Sequence, residues 1–485
     1  MKLSFADKII ENSTSSKNSI VKRNFLIDKN KSTKVTIIYS DLTVNKNQIN
    51  LDILNPLMHH FDSSFKDNTD PYEFLLMTVL PMANAYIETS FSTLVSELKC
   101  GKTLLFIEEN EKAIVFDTTN FTYRTIQTPT ITSSIAAAKE DINESLEQNM
   151  SMLKRHIKDH SLVIDSLTIG RRSKTQLNIC YLKDIANENV VSTITEKLHS
   201  IDIDNVQSIG GVQQLIENYS TSFFPQSFIT DSFESIVCKI YEGKVALFME
   251  GSPYALSAPA IFVEFFQNLD DYNQRTLVAS FGRLLRFFAL IVVLTLPSLY
   301  IILTKFNPEF LLDKYIRAIV SARAGIPLTP FLEMFVMEFI VELLREGGIR
   351  LPSKVGQTLS IVSGIIIGDA AIRSNIISPP ALFVIGISVV CTFLIPNYQM
   401  ALSIRLIKFP LLILSNLFGA FGFFFGLYLI VFMLFNLDSY GIDYLEFFKP
   451  DMKDTFIRNK IPSLKRRPKI LKLKDKYRER GTKND

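Results

Sequence analysis

SFSTLVSELKCGKTLLFIE, residues 90–108, and SFESIVCKIYEGKVALFME, residues 232–250, lie over one another at an offset of 142 positions with eight identities in nineteen. Each stretch spaces Phe, Leu or Ile, and Val as one face of a helix, reaches Gly101 or Gly243, and continues as an apolar run. A glycine just past an amphipathic helix suits the left-handed residue that closes its last turn, and the run behind it reads as a buried strand. Two copies of helix, glycine turn and core strand predict two similar α/β subdomains. Gly101-Lys102-Thr103 is not a phosphate loop. GxxxxGK[ST] must follow a strand and open a helix, whereas here Ser96 stands at the first glycine position and the order is helix, then strand.

Outward from this pair, residues 71–284 alternate helix-like stretches with short strand-like runs at residues 104–107, 113–116 and 163–169. The subdomains are placed at residues 51–155 and 156–282. Residues 1–50 are rich in Asn, Ser and Lys, with one strand-like run over residues 34–39, and read as a mobile polar leader without an apolar signal segment. His156 and His160, four apart, have metal-ligand spacing but no further ligands near them, so a solvated helix face is the expectation and no metal or cofactor is assigned. The turn Gly170-Arg171-Arg172-Ser173-Lys174-Thr175 crowds three cations, Arg171, Arg172 and Lys174, where an anionic partner surface or a solvated hairpin would fit. No Ser/His/Asp, Cys/His or paired-carboxylate arrangement stands out, so enzymatic chemistry is not expected.

Beyond residue 282 the composition changes. Residues 287–304, 374–404 and 409–437 are uncharged over 18, 31 and 29 positions, each enough for the roughly 20-residue helix that crosses a bilayer. Residues 355–372 are a fourth candidate, interrupted by Asp369. Residues 460–485 hold eleven basic and three acidic side chains, a charge of +8 within an overall +3, which leaves −5 for the rest of the chain. A basic run beside a span marks a cytoplasmic flank and attracts anionic lipid, and its scarcity of aromatics argues against nucleic acid. With both termini cytoplasmic the crossings are even in number, which favours four over three. The expected architecture is a cytoplasmic α/β region of two subdomains followed by an α-helical integral membrane domain over residues 283–445, then a basic cytoplasmic tail over residues 446–485. That membrane domain has about four transmembrane helices plus one amphipathic or re-entrant helix.

The extra helix is residues 326–344, apolar but carrying Glu333, Glu338 and Glu342. It could lie in the interface, re-enter, or line a polar cavity. Steps of 100° per residue gather Glu338, Glu342 and Arg345 on one face. Oligomerisation would ring these acids into a cation-attracting lining, so Glu333, Glu338 and Glu342 are candidate ion-path or gating residues. Asp369 and Arg373, one helical turn apart, join them as an available ion pair, unless the span already ends at Gly368. Gly364 and Gly368, and Gly422 and Gly426, form two GxxxG pairs that offer flat faces for helix packing.

Residues 342–380, ELLREGGIRLPSKVGQTLSIVSGIIIGDAAIRSNIISPP, strongly resemble the membrane domain of the GerA family, the A subunits of bacterial spore germinant receptors. EGSPYAL (residues 250–256), RLLRFFALIVVLTLPSLYI (283–301), PLTPFLEMFVMEF (327–339) and the Gly170 turn carry the same resemblance, which covers residues 71–445. Where that family shows an acidic residue and a Gly-Pro-x-x-Gly-Phe-like segment, this chain has PTITSSIAAAKEDI (129–142). The resemblance implies a spore inner-membrane protein that couples nutrient sensing to ion release and germination together with a transporter-like B subunit, to which nutrient recognition is mainly assigned, and a lipoprotein C subunit. It implies, too, a homo-oligomer that forms or gates an ion pathway. A non-conducting scaffold or paralogue recruiting other germination proteins would share the topology. A secondary transporter would need repeated membrane halves, and the visible repeat is in the α/β part.

Overall fold

The structure, a computed structural model, describes residues 5–13, 20–27, 33–41, 44–59, 70–82, 84–99, 101–107, 110–119, 140–349, 368–445 and 454–478. Two five-stranded antiparallel sheets form its first part. Strands β1 (Ile20–Ile27), β2 (Thr33–Ser40), β3 (Ala85–Glu88), β4 (Thr103–Ile107) and β5 (Ala113–Phe116) lie in the order β1-β2-β4-β5-β3. Strands β6 (Leu162–Ile169), β7 (Thr175–Leu182), β8 (Phe228–Thr230), β9 (Val245–Met249) and β10 (Ala255–Ala258) lie in the order β6-β7-β9-β10-β8, the same topology.

The repeated segments coincide element by element. Helix α2 (Phe91–Lys99), following α1 (Phe5–Ser13), leads into β4 as α4 (Phe233–Tyr241) leads into β9; α3 (Leu146–His156) lies between. Gly101 has φ 91° and Gly243 φ 89°. In β4, Leu104 and Phe106 pack under α1 and α2, while Leu105 and Ile107 pack on the opposite face. Successive residues of a strand point to opposite faces, so a sheet covered on both sides needs an unbroken apolar run. A Cβ on Gly243 would sit 2.6 Å from Leu473 and 2.9 Å from Ile185, besides requiring a left-handed backbone. Gly243→Val is therefore expected to lower the unfolding midpoint of the α/β part by several degrees more than Gly347→Val, where a Cβ meets nothing. Circular dichroism melts of both variants check this.

Three boundaries differ from expectation. Residues 20–27 and 33–40, assigned to a mobile leader, are β1 and β2, and Ile9 of α1 is fully buried. β1 is an edge strand, and its exposed Lys22, Arg23 and Asn24 interrupt what would otherwise be an apolar run. Residues 146–155, assigned to the first subdomain, place Leu146, Met150 and Leu153 in the core of the second. The basic tail is not a free run over its described residues: Ile470, Leu471 and Leu473 enter that same core, and Lys474 pairs with Glu188 at 2.6 Å.

The second part is a helical bundle of α5 (Thr276–Ile301), α6 (Pro330–Ile349), α7 (Pro379–Thr392) and α8 (Tyr398–Asn436). Thr276–Phe306 and Tyr398–Asn436 are long and apolar enough to cross a membrane; Pro379–Thr392 is apolar but shorter. The uncharged run 374–404 divides at residues 393–397, which lie between α7 and α8. The run 409–437 is not one straight rod, because α8 leaves helical geometry at Gly419 (φ 61°, ψ −138°). In a continuous helix residues 411 and 426 would stand about 22 Å apart. Instead a Cβ on Gly426 would touch Leu411 at 2.6 Å, so α8 doubles back into two antiparallel arms. Residues 355–367 of the fourth candidate span lie outside the described residues.

Both ends of α8 and the start of α5 meet the second α/β unit. Gln399 donates to Gln213 at 2.9 Å and Asn218 to Asp438 at 3.0 Å, while Arg286 donates to the Phe266 carbonyl at 3.2 Å. At the opposite end, Lys305 bonds Asn416 and Phe306 covers Gly419. The tip of the α8 hairpin thus lies beside the far end of α5.

Candidate functional site

The acids of residues 326–344 lie on α6, which is part of the bundle rather than an isolated surface helix. Met334 and Met337 share a core with Tyr300 of α5, Ala381 and Ile385 of α7, and Leu412 of α8. Glu333, Glu338 and Glu342 fall at three levels along about 14 Å of α6. Each meets a cation of its own chain.

At the far end, Glu333 is fully buried, accepts from Ser378 at 2.8 Å and pairs with Arg323 at 3.2 Å. Tyr300 lies 3.3 Å from the same Ser378 hydroxyl. Halfway along, Glu338 is fully buried against Lys408, which is 2% exposed. Nearest the α/β part, Glu342 bridges Arg345 and Arg405, each at 3.2 Å, with Lys408 at 3.9 Å. The face thus combines three carboxylates with four cations, Arg323, Arg345, Arg405 and Lys408. A carboxylate in an apolar bundle is costly unless it is paired; helix α8 pairs Glu338 and Glu342, and Arg323, ahead of α6, pairs Glu333. One oxygen of Glu338 is buried without a hydrogen-bond partner, whereas the Glu333 oxygen that Ser378 leaves open faces Arg323 at 3.2 Å.

Arg405 and Lys408 were not among the expected site residues. They interrupt the uncharged runs 374–404 and 409–437 and so look like a loop between spans. Their three-residue spacing, one turn of a helix, was the available signal. Asp369 and Arg373 do pair, at 2.8 Å, with both side chains more than half exposed. They lie apart from the ladder. Gly422 and Gly426 pack inside the α8 hairpin against Leu414 and Leu411, rather than offering an open face. Gly364 lies outside the described residues, and Gly368 faces Leu382 at 3.7 Å. In the turn after Gly170, Arg171 pairs with Asp202 and Asp204 and Arg172 with Asp204, so the acids that these cations meet are the chain's own. His156 pairs with Glu140 at 2.7 Å, and among the described residues no three His, Cys, Asp or Glu side chains are grouped to hold a metal.

A second charged cluster ties the base of the bundle to the α/β part. Fully buried Arg283 reaches Asp271 at 3.0 Å and Asp454 at 3.4 Å, and Arg286 grips Asp271 through two bonds of 2.8 Å. Tyr272 donates to Asp454 at 2.6 Å. Burial alone would raise the Asp271 carboxyl, but bonds and charge from Arg286 hold it below its usual range. The cluster clamps the start of α5 against the C-terminal segment.

The whole arrangement lies within one matched family model. Residues 8–470 match the Bacillus/Clostridium GerA spore germination protein family. This chain belongs to the GerA family. Spore germination protein KA of Bacillus subtilis (strain 168) is 31% identical over 96% of this chain and 86% of its own length. Spore germination protein B1 of the same strain is 33% identical over 78% of this chain and 80% of its own. The solved N-terminal domain of the A subunit of the Bacillus megaterium spore germinant receptor GerK3 is 27% identical, covers 53% of this chain and 94% of that one, and has a TM-score of 0.39. The family match thus extends over both sheets, the bundle with its ladder, and most of the docked C-terminal segment.

Proposed function

We propose that this chain is the A subunit of a spore germinant receptor, acting with a transporter-like B subunit and a lipoprotein C subunit. Its bundle sits in the spore inner membrane with the α/β part and C-terminal segment on the cytoplasmic side. The crossings are even in number, because α5 departs from the second α/β unit and α8 returns to it. Copies of the chain assemble around an ion pathway gated by the α6 ladder.

The observation that carries this reading is the buried pair Glu338–Lys408 in the middle of an apolar bundle. Charged groups at that depth are expensive and cluster at ion paths and relays. Exchange of carboxylate partners between Lys408 and Arg405 would let Glu338 or Glu342 turn toward a pathway between subunits. Complete pairing inside one chain equally suits the second reading, a non-conducting scaffold stiffened by internal ion pairs.

Ion flux through purified protein in liposomes separates the two. Wild type is expected to conduct cations, and Glu342→Gln and the neutral pair Glu338→Gln/Lys408→Met are expected to shift the cation-to-anion permeability ratio at least severalfold at unchanged protein level. Absence of flux from correctly assembled wild type would leave the scaffold.

A further inference from the structure

Away from the ladder, two buried lysines converge on one carboxylate beside a cleft. Lys239 of α4 and Lys244, which follows Gly243, both pair with Glu264. Their side chains are 9% and 4% exposed, and that of Glu264 9%. Two buried amines therefore share a single carboxylate out of water. Burial lowers Lys239 well below the usual lysine range, with repulsion from Lys244 adding to it, and burial pushes Lys244 down to about 8. Of the neighbouring acids, Glu242 is engaged with Arg478 at 3.3 Å and Asp454 with Arg283 and Tyr272.

Two cavities open onto these groups, one of about 400 Å³ and one of about 480 Å³. They share Glu242, Glu264, Gln267, Tyr272 and Arg478 in their walls, with Lys244 lining the first and Lys239 the second, so they are adjoining lobes of a cleft. Around it basic side chains outnumber acidic ones seven to four. Arg467 and Arg478 of the C-terminal segment form one side. The planar fork of a guanidinium group can donate to two oxygens of a phosphate or carboxylate at once, and amine groups serve as compact donors deeper in.

We propose that this cleft binds a phosphate-type oxyanion, whose oxygens meet Lys239 and Lys244 and are covered by Arg467 or Arg478. The space is far larger than a halide needs and admits the rest of a small phosphate ester. Its occupant touches α4 of the second α/β unit, the C-terminal segment, and Tyr272, which bonds the Asp454 that holds Arg283 of α5. Binding therefore joins the α/β part to the base of the bundle. The site is independent of the ladder and of any conduction through it.

Calorimetric titration of the full chain, in a phospholipid-free detergent at pH 7 and constant ionic strength, tests the site with inorganic phosphate and, separately, with water-soluble dioctanoyl phosphatidylglycerol. Wild type is expected to bind at least one of them saturably. Binding of inorganic phosphate assigns a soluble anion; binding of the lipid alone assigns a headgroup. Lys244→Met leaves a balanced Lys239–Glu264 pair, so it should fold and bind at least tenfold more weakly. Glu264→Gln removes the competing carboxylate and should bind severalfold more tightly. These opposite signs are not what a general salt effect or a packing role produces. No saturable binding by wild type, or equal affinity in all three proteins, overturns the proposal.

Discussion

Lys408→Ala is expected to destabilise the bundle by about 3–5 kcal/mol, the usual consequence of leaving one partner of a buried ion pair behind. Glu338 is fully buried and Lys408 is its ion-pair partner. With the ammonium gone, the carboxylate must take up a proton or draw water into the bundle. The double variant Glu338→Gln/Lys408→Met removes both charges and keeps the volume, so it should recover most of that loss. Fluorescence-detected size exclusion of heated, detergent-solubilised protein would measure both. If Lys408→Ala melts with wild type, the pair contributes no stability and the ladder is not the organising feature of α6.

An effect at least as large is expected from Gly422→Val. A Cβ at this position would stand 2.7 Å from the carbonyl carbon of Leu414 and 2.9 Å from the Cβ of Phe418. The nearest obstacle is backbone of the opposing hairpin arm, which cannot rotate away as a side chain would. The two arms of α8 would have to part, exposing Leu411 and Phe423, which pack with Ile302 of the segment that extends α5. The variant is expected to be nearly absent from the membrane fraction in an immunoblot. Gly426→Ala meets chiefly the flexible end of Leu411 and should accumulate at reduced but measurable level. Equal accumulation of wild type and Gly422→Val would mean that α8 does not double back at Gly419.

How much was legible depended on whether the relevant signal is local in sequence. Helix α2 and strand β4, and their counterparts α4 and β9, were readable because amphipathic spacing, a glycine stop and an apolar run are written in consecutive residues. The edge strand β1 was hidden, because a strand with one partner and a solvated side does not need an apolar run. The carboxylates of α6 were visible as anomalies in an apolar helix. Their partners on α8 were not: Lys408 is 70 positions from Glu338, and Arg405 is 63 from Glu342. The charges that satisfy the acids were therefore taken for the boundary between two spans.

By itself the sequence determined the two α/β subdomains, the apolar character of the segments beyond residue 282, and the presence of acids that must be accommodated there. All three follow from periodicity and composition, which act through the energy of each residue's own surroundings. Tertiary structure alone decided which cation meets which acid, that α8 reverses at Gly419, and that the basic C-terminal segment docks on the second α/β unit. It also decided that Lys239 and Lys244 share Glu264. Each of these depends on two distant segments being brought together, where desolvation makes pairing obligatory without any local pattern naming the partner.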